Sequence, residues 1–95
     1  MAIVIKTNGT LIEVSPEDNS SYTFEEVKRH IGIELSSNLQ LVSYRDDWTT
    51  HYMLMDEDGI ANERPVNPIA SYIIDGQVLG PVHGNVLVCN MEEIS

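Results

Sequence analysis

Apolar positions along the chain fall into short β-rich runs separated by two stretches with helical spacing. The opening AIVIKTNGTLIEV holds two such runs around Asn8-Gly9. That dipeptide suits the positive φ angles of a tight hairpin turn, and strands are predicted over residues 2–6 and 10–14. SPEDNSSY then gathers Ser, Pro, Asp and Asn into a loop. Thr23 opens a capping box with Glu26 three residues on, Phe24, Val27 and Ile31 follow at helical spacing, and Gly32 ends the helix. LQLVSY and YMLM, residues 39–44 and 52–55, predict a second hairpin. Its polar connection RDDWTTH carries Arg45, Trp48 and His51.

After Ile60, Asn67 is placed to cap a second helix with Pro68 at its first position, where the missing amide costs nothing, and the helix is expected to run through Ile73. Asp75-Gly76 turns the chain, QVLG forms a brief strand or extended segment, residues 84–89 form the last strand, and MEEIS reads as a frayed tail. The order β-β-α-β-β-α-β makes residues 1–95 a single α+β domain. Its expected core is a small antiparallel or mixed sheet of about five strands packed by one or two short helices.

At 95 residues and 42% hydrophobic, such a chain can bury about 60–65% of its unfolded surface, enough to fold without staples. Cys89, in the apolar run NVLVCN, reads as a small buried hydrophobe rather than a reactive thiol. Met1 leads straight into AIVIK with neither a basic segment before it nor a long apolar stretch after it, so no signal peptide or membrane span is expected and the protein reads as intracellular. Fifteen acidic residues against five Lys and Arg give a formal charge of -10. This opposes the counterion release that drives nucleic-acid binding, so direct binding to DNA or RNA is not expected. The same charge can serve solubility or imitate a phosphate backbone.

The acidic turn DEDG invites a calcium reading, which the spacing rejects. With Gly59 at the sixth loop position, Leu54 and Pro65 fall where the first and last side-chain ligands belong. The turn instead reads as a solvated exit from a strand, with Gly59 supplying positive φ. His30, His51 and His83 show no metal-ligand spacing, and His30 suits the C-terminal end of the first helix. There is no nucleophile elbow, no phosphate-cradling glycine motif and no well-placed carboxylate pair, so neither an enzyme nor a bound cofactor is expected. Trp48 beside Arg45 leaves two readings open: the indole folds back to cap the core, or it contacts a ligand or partner. Arg64, Asn67 and the amides of Ile69 and Ala70 form the best local positive site for a small anion, or else a plain helix cap.

From Thr23 onward the elements FEEVKRHIG, LQLVSY, MDEDG, RPVNP and HGNVLVC, in that order, resemble an uncharacterised family of small proteins of bacteriophages, plasmids and bacteria. Its members form a domain of unknown function with a helix ending in glycine, a strand, an acidic NEEG-like turn, an LPxN segment and a last strand entered through glycine. Two features depart from that pattern: GI stands where the family has Gly-Gly, and SYRDDWTTHY is longer.

The resemblance implies a phage-type accessory protein acting in the cytoplasm of a bacterial host, non-enzymatic and directed against a host defence. Chemistry offers two modes. In one, a homo-oligomer sequesters a nucleotide-like anionic signal with Arg45, Trp48, Arg64 and Asn67 as ligand-binding residues. In the other, the acidic residues Asp46, Asp47, Asp56, Glu57 and Asp58, on adjacent hairpin ends, bind a host protein in the manner of a DNA mimic.

Overall fold

The computed structural model describes residues 2–17, 21–46, 48–75 and 80–94. β1 (Ala2–Ile5) and β2 (Leu11–Val14) form the first hairpin, with Ile5 opposite Leu11 and Ala2 opposite Val14. The Gly9 amide donates to the Lys6 carbonyl at 3.0 Å and Gly9 takes φ 90°. The turn is therefore a three-residue loop closed by a left-handed glycine, and Asn8 keeps a negative φ.

Helix α1 (Phe24–Ile31) carries the expected capping box: the Glu26 amide donates to Thr23 Oγ1 at 3.2 Å, and the Thr23 amide donates to Glu26 Oε1 at 3.3 Å. At its other end Gly32 stands at φ 77°, with the Gly32 and Ile33 amides donating to the carbonyls of Arg29 and Lys28. This pair of bonds satisfies carbonyls that the helix itself leaves open.

β3 (Leu39–Asp46) and β4 (Thr49–Asp56) pair along their whole length, from Leu39 opposite Asp56 to Asp46 opposite Thr49. The polar connection expected over residues 45–51 is therefore mostly strand. Thr49 and Thr50 favour extended backbone, and the Tyr44 and His51 rings stack across the hairpin at 5.3 Å, so pairing continues to the tip. Helix α2 (Pro68–Ile73) begins at Asn67 as expected. β5 (Val86–Asn90) enters the centre of the sheet, giving the strand order β2-β1-β5-β4-β3 with every neighbouring pair antiparallel. The α+β class and the five-stranded sheet thus hold, and the sheet is antiparallel rather than mixed.

Two buried clusters fall on alternate strand residues. Ala2, Val4, Leu54, Leu87 and Cys89 cluster with Val27 and Ile31 of α1, while Ile5, Met53, Val42 and Val86 cluster with Ala70 of α2 and Ile74. Strand alternation places these sets on opposite sheet faces. The end of the chain is not a frayed tail. Met91–Glu93 forms a short 3-10 turn, Ile94 bridges to Tyr22, and the Tyr22 amide donates to the Glu93 carbonyl. Tyr22 is fully buried and its hydroxyl donates to the Val14 carbonyl at 2.7 Å, so its side chain ties down the end of β2 while its backbone ties down the C-terminal turn. The turn glycine Gly76 and residues 77–79 of QVLG lie outside the described residues.

Candidate functional site

The residues singled out in the sequence lie at two ends of β4. Seven residue steps separate Thr49 from Asp56, roughly 24 Å at the rise of an antiparallel strand. Arg45 and Trp48 are at the Thr49 end, and Arg64 and Asn67 at the Asp56 end. They do not converge on one small molecule within a single chain. The acidic set divides in the same way: Asp46 ends β3 near the tip, whereas Asp56, Glu57 and Asp58 follow β4 at its far end. The two groups are not on adjacent hairpin ends, because the strands run longer than the expected loop allowed. Asp47 lies outside the described residues.

At the far end, Asp56 organises the turn from inside it. Arg64 Nε donates to its Oδ2 at 2.6 Å, Asn62 Nδ2 donates to the same oxygen at 3.0 Å, and the Asp58 amide donates to Oδ1 at 2.9 Å. The Asp56 side chain is 1% exposed and that of Arg64 27%. Burial pushes the carboxyl pKa up, but the hydrogen bonds from Arg64, Asn62 and the Asp58 amide outweigh it and hold the group below its ordinary range. Of the three DEDG acids, Asp56 is thus committed to the fold, while Glu57 and Asp58 are exposed. His83 Nδ1 donates to the Arg64 carbonyl at 2.9 Å, tying this turn to the approach of β5. A cavity of about 120 Å³ opens here, lined by Gln40, Val42, Met55, Gly59, Pro81 and His83 among others.

Gly59 does not supply positive φ; the left-handed residue of the turn is Glu63, at φ 56°. Gly59 is required for a different reason. A Cβ there would stand 2.7 Å from the His83 carbonyl oxygen.

The anion site expected around Asn67 is filled by the protein itself. Asn67 is fully buried; its Oδ1 accepts from the Ala70 amide at 3.1 Å, and its Nδ2 donates to the carbonyls of Ile5 and Gly84 at 2.9 and 3.0 Å. With Arg64 held by Asp56, two of the four ligand-binding residues expected from the sequence serve structure.

The hairpin tip is different. Trp48 is 90% exposed, so the indole does not fold back over the core. Beside it lies an open cleft of about 330 Å³ lined by Trp48, Thr49, Thr50, Asn90, Met91 and Glu92, with Met91 52% exposed. Arg45 is exposed on β3 opposite Thr50. Sequence reasoning missed Asn90, Met91 and Glu92 as neighbours of Trp48, because it read the segment after β5 as a free tail. The reciprocal cap between Asn90 and Glu93 was the available signal, with the Asn90 amide donating to Glu93 Oε1 at 3.0 Å.

Two buried groups outside these sites are held in their neutral forms. Burial, with Glu93 nearby, pushes the Cys89 thiol up to about 12 and the Tyr22 phenol likewise to about 12. Among the described residues no three His, Cys, Asp or Glu side chains converge as metal ligands, and no helix is long and apolar enough to cross a membrane. No protein-family model, curated protein or solved structure matches the chain.

Proposed function

We propose that the protein is a non-enzymatic binding module that captures another protein through the β3–β4 tip, with Trp48 as the anchor. The observation that carries this reading is the 90% exposure of Trp48 on a hairpin that is paired up to its tip. Exposing an indole to water forgoes a large hydrophobic gain, and such a side chain recovers it when a partner closes over it. Met91, 52% exposed beside the indole, supplies further apolar surface, the adjoining threonines, Asn90 and Glu92 supply polar contacts, and Arg45 supplies a rim contact.

The net charge of -10 favours a partner with a basic surface. Complementary charge speeds encounter and excludes acidic competitors, while the buried anchor sets the affinity. Direct capture of a host protein is one of the two modes that chemistry offers a phage-type accessory protein, with Trp48 here taking the anchoring role in place of the acidic residues. The other mode, sequestration of an anionic ligand, has lost Arg64 and Asn67 as contacts but keeps Arg45 and Trp48.

Because Trp48 is the sole tryptophan, its fluorescence reports on this surface directly. A partner recovered with the wild-type protein should shift the emission to shorter wavelength and bind Trp48→Ala at least about 30-fold more weakly, the loss of a strong anchor. Equal affinity for Trp48→Ala would overturn the reading. Quenching by a nucleotide that Arg45→Ala abolishes would replace it with the ligand mode.

A further inference from the structure

We infer that Asn8 is a self-modification site: its side chain deamidates through the Gly9 amide when the β1–β2 turn opens, the closed turn suppresses the reaction, and the isoaspartate product keeps the turn open. Asn8 is the only asparagine of the chain followed by glycine, and both residues are exposed. A glycine has no Cβ to shield its amide nitrogen or to restrict the backbone that must bend toward the side chain.

In the reaction the Gly9 nitrogen loses its proton to hydroxide and bonds to Cγ of Asn8. The Cγ–Nδ2 bond breaks, and Nδ2 takes up a proton and leaves as ammonia. The cyclic imide then adds one water at either of its two carbonyls and opens to aspartate or to isoaspartate. Water and hydroxide are the only co-reactants. Asp58-Gly59 and Asp75-Gly76 offer a similar backbone, but an ionised carboxylate is a far poorer electrophile than a carboxamide.

The closed turn engages both reacting groups. The Gly9 amide donates to the Lys6 carbonyl at 3.0 Å, and Oδ1 of Asn8 accepts from the Thr10 amide at 3.0 Å. The Lys6 amide donates to the Thr10 carbonyl at 2.9 Å and closes the loop from the strand side. Ring closure requires the Gly9 proton to leave and the Asn8 side chain to swing onto the nitrogen, and each step breaks one of these bonds. The rate in the folded protein therefore follows the population of opened turns. That opening involves β2, a strand of four residues at the end of the sheet order, rather than the sheet centre.

The two products differ in consequence. Aspartate keeps the main chain and still presents an oxygen to the Thr10 amide, so the hairpin re-forms. Isoaspartate routes the main chain through the side-chain carbon and adds a methylene to a tight loop. The Lys6–Gly9 and Lys6–Thr10 bonds then cannot both close, and the register that sets Ile5 opposite Leu11 is lost.

To test this, the full-length protein is held at mildly alkaline pH in native buffer and, in parallel, in guanidinium chloride. Conversion at each asparagine is followed by peptide mass spectrometry, with isoaspartate and aspartate peptides separated by chromatography. The unfolded chain should convert Asn8 ahead of every other asparagine, and the native chain should convert it at least about tenfold more slowly. Refolded chains carrying isoaspartate should lose hydrogen-exchange protection at the β2 amides, whereas those carrying aspartate should retain it. Equal rates in the two solvents, an unfolded chain in which Asn8 reacts no faster than the other asparagines, or isoaspartate chains with β2 still protected would each overturn the inference.

Discussion

The side-chain amide of Asn67 donates to the carbonyl of Ile5 at 2.9 Å, joining the start of α2 to the end of β1 across 62 positions of sequence. The same nitrogen donates to Gly84 and the amide oxygen caps α2, so one buried side chain holds three segments together. Asn67→Ala removes two hydrogen bonds to buried carbonyls and the cap bond from a helix amide. The expected cost is about 3 kcal/mol, or roughly 12–24 °C in Tm. Asn67→Asp keeps the cap but turns an acceptor toward two carbonyls, and should be worse than alanine at neutral pH and recover on acidification. Thermal unfolding of both variants at two pH values checks this.

Asp56 sets the acid stability of the 56–64 turn. Its folded pKa lies below the unfolded value, so its stabilisation is complete above the ordinary carboxyl range and is lost as pH falls through the folded value. Asp56→Asn is expected to cost about 1–3 kcal/mol at neutral pH, moderated by the partial exposure of Arg64. The difference from wild type should shrink in acid, once the native carboxyl is itself neutral. Urea unfolding near neutrality and in acid gives both differences.

Gly59 and Gly32 make a discriminating pair. Gly32 is left-handed with open space around its Cβ direction, so Gly32→Asn should be nearly neutral. At Gly59 the obstacle is the His83 carbonyl, and no choice of side chain removes a Cβ. Gly59→Ala and Gly59→Asn should each cost about 1–3 kcal/mol. They should also shift the amide resonances of His83 and Arg64, which Gly32→Asn leaves in place.

Cys89 should be silent in the native state. Burial, with Glu93 nearby, raises its pKa to about 12, so the thiolate is far scarcer than for an ordinary thiol at the same pH. A disulfide reagent should therefore modify the folded protein slowly and the urea-unfolded protein at once. Rapid modification of the folded protein would show that the β5 face opens.

Features resting on groups three or four residues apart were determined by the sequence itself. Thr23 and Glu26 form their reciprocal cap, Asn67 and Pro68 start α2, and Gly32 ends α1, because each bond closes within one turn of chain. Short β-rich apolar runs likewise marked all five strands. Tertiary structure alone decided what those residues are free to do. Asn67 looked like a ligand residue until Ile5 and Gly84 claimed its amide, and Arg64 looked like a free cation until Asp56, eight positions away, faced it. Gly59 is glycine because His83 passes beside it. Trp48 is exposed because pairing between β3 and β4 continues to the tip and carries the indole beyond the core. Each of these outcomes depends on which distant segments the closed sheet brings together, and local spacing does not encode that proximity.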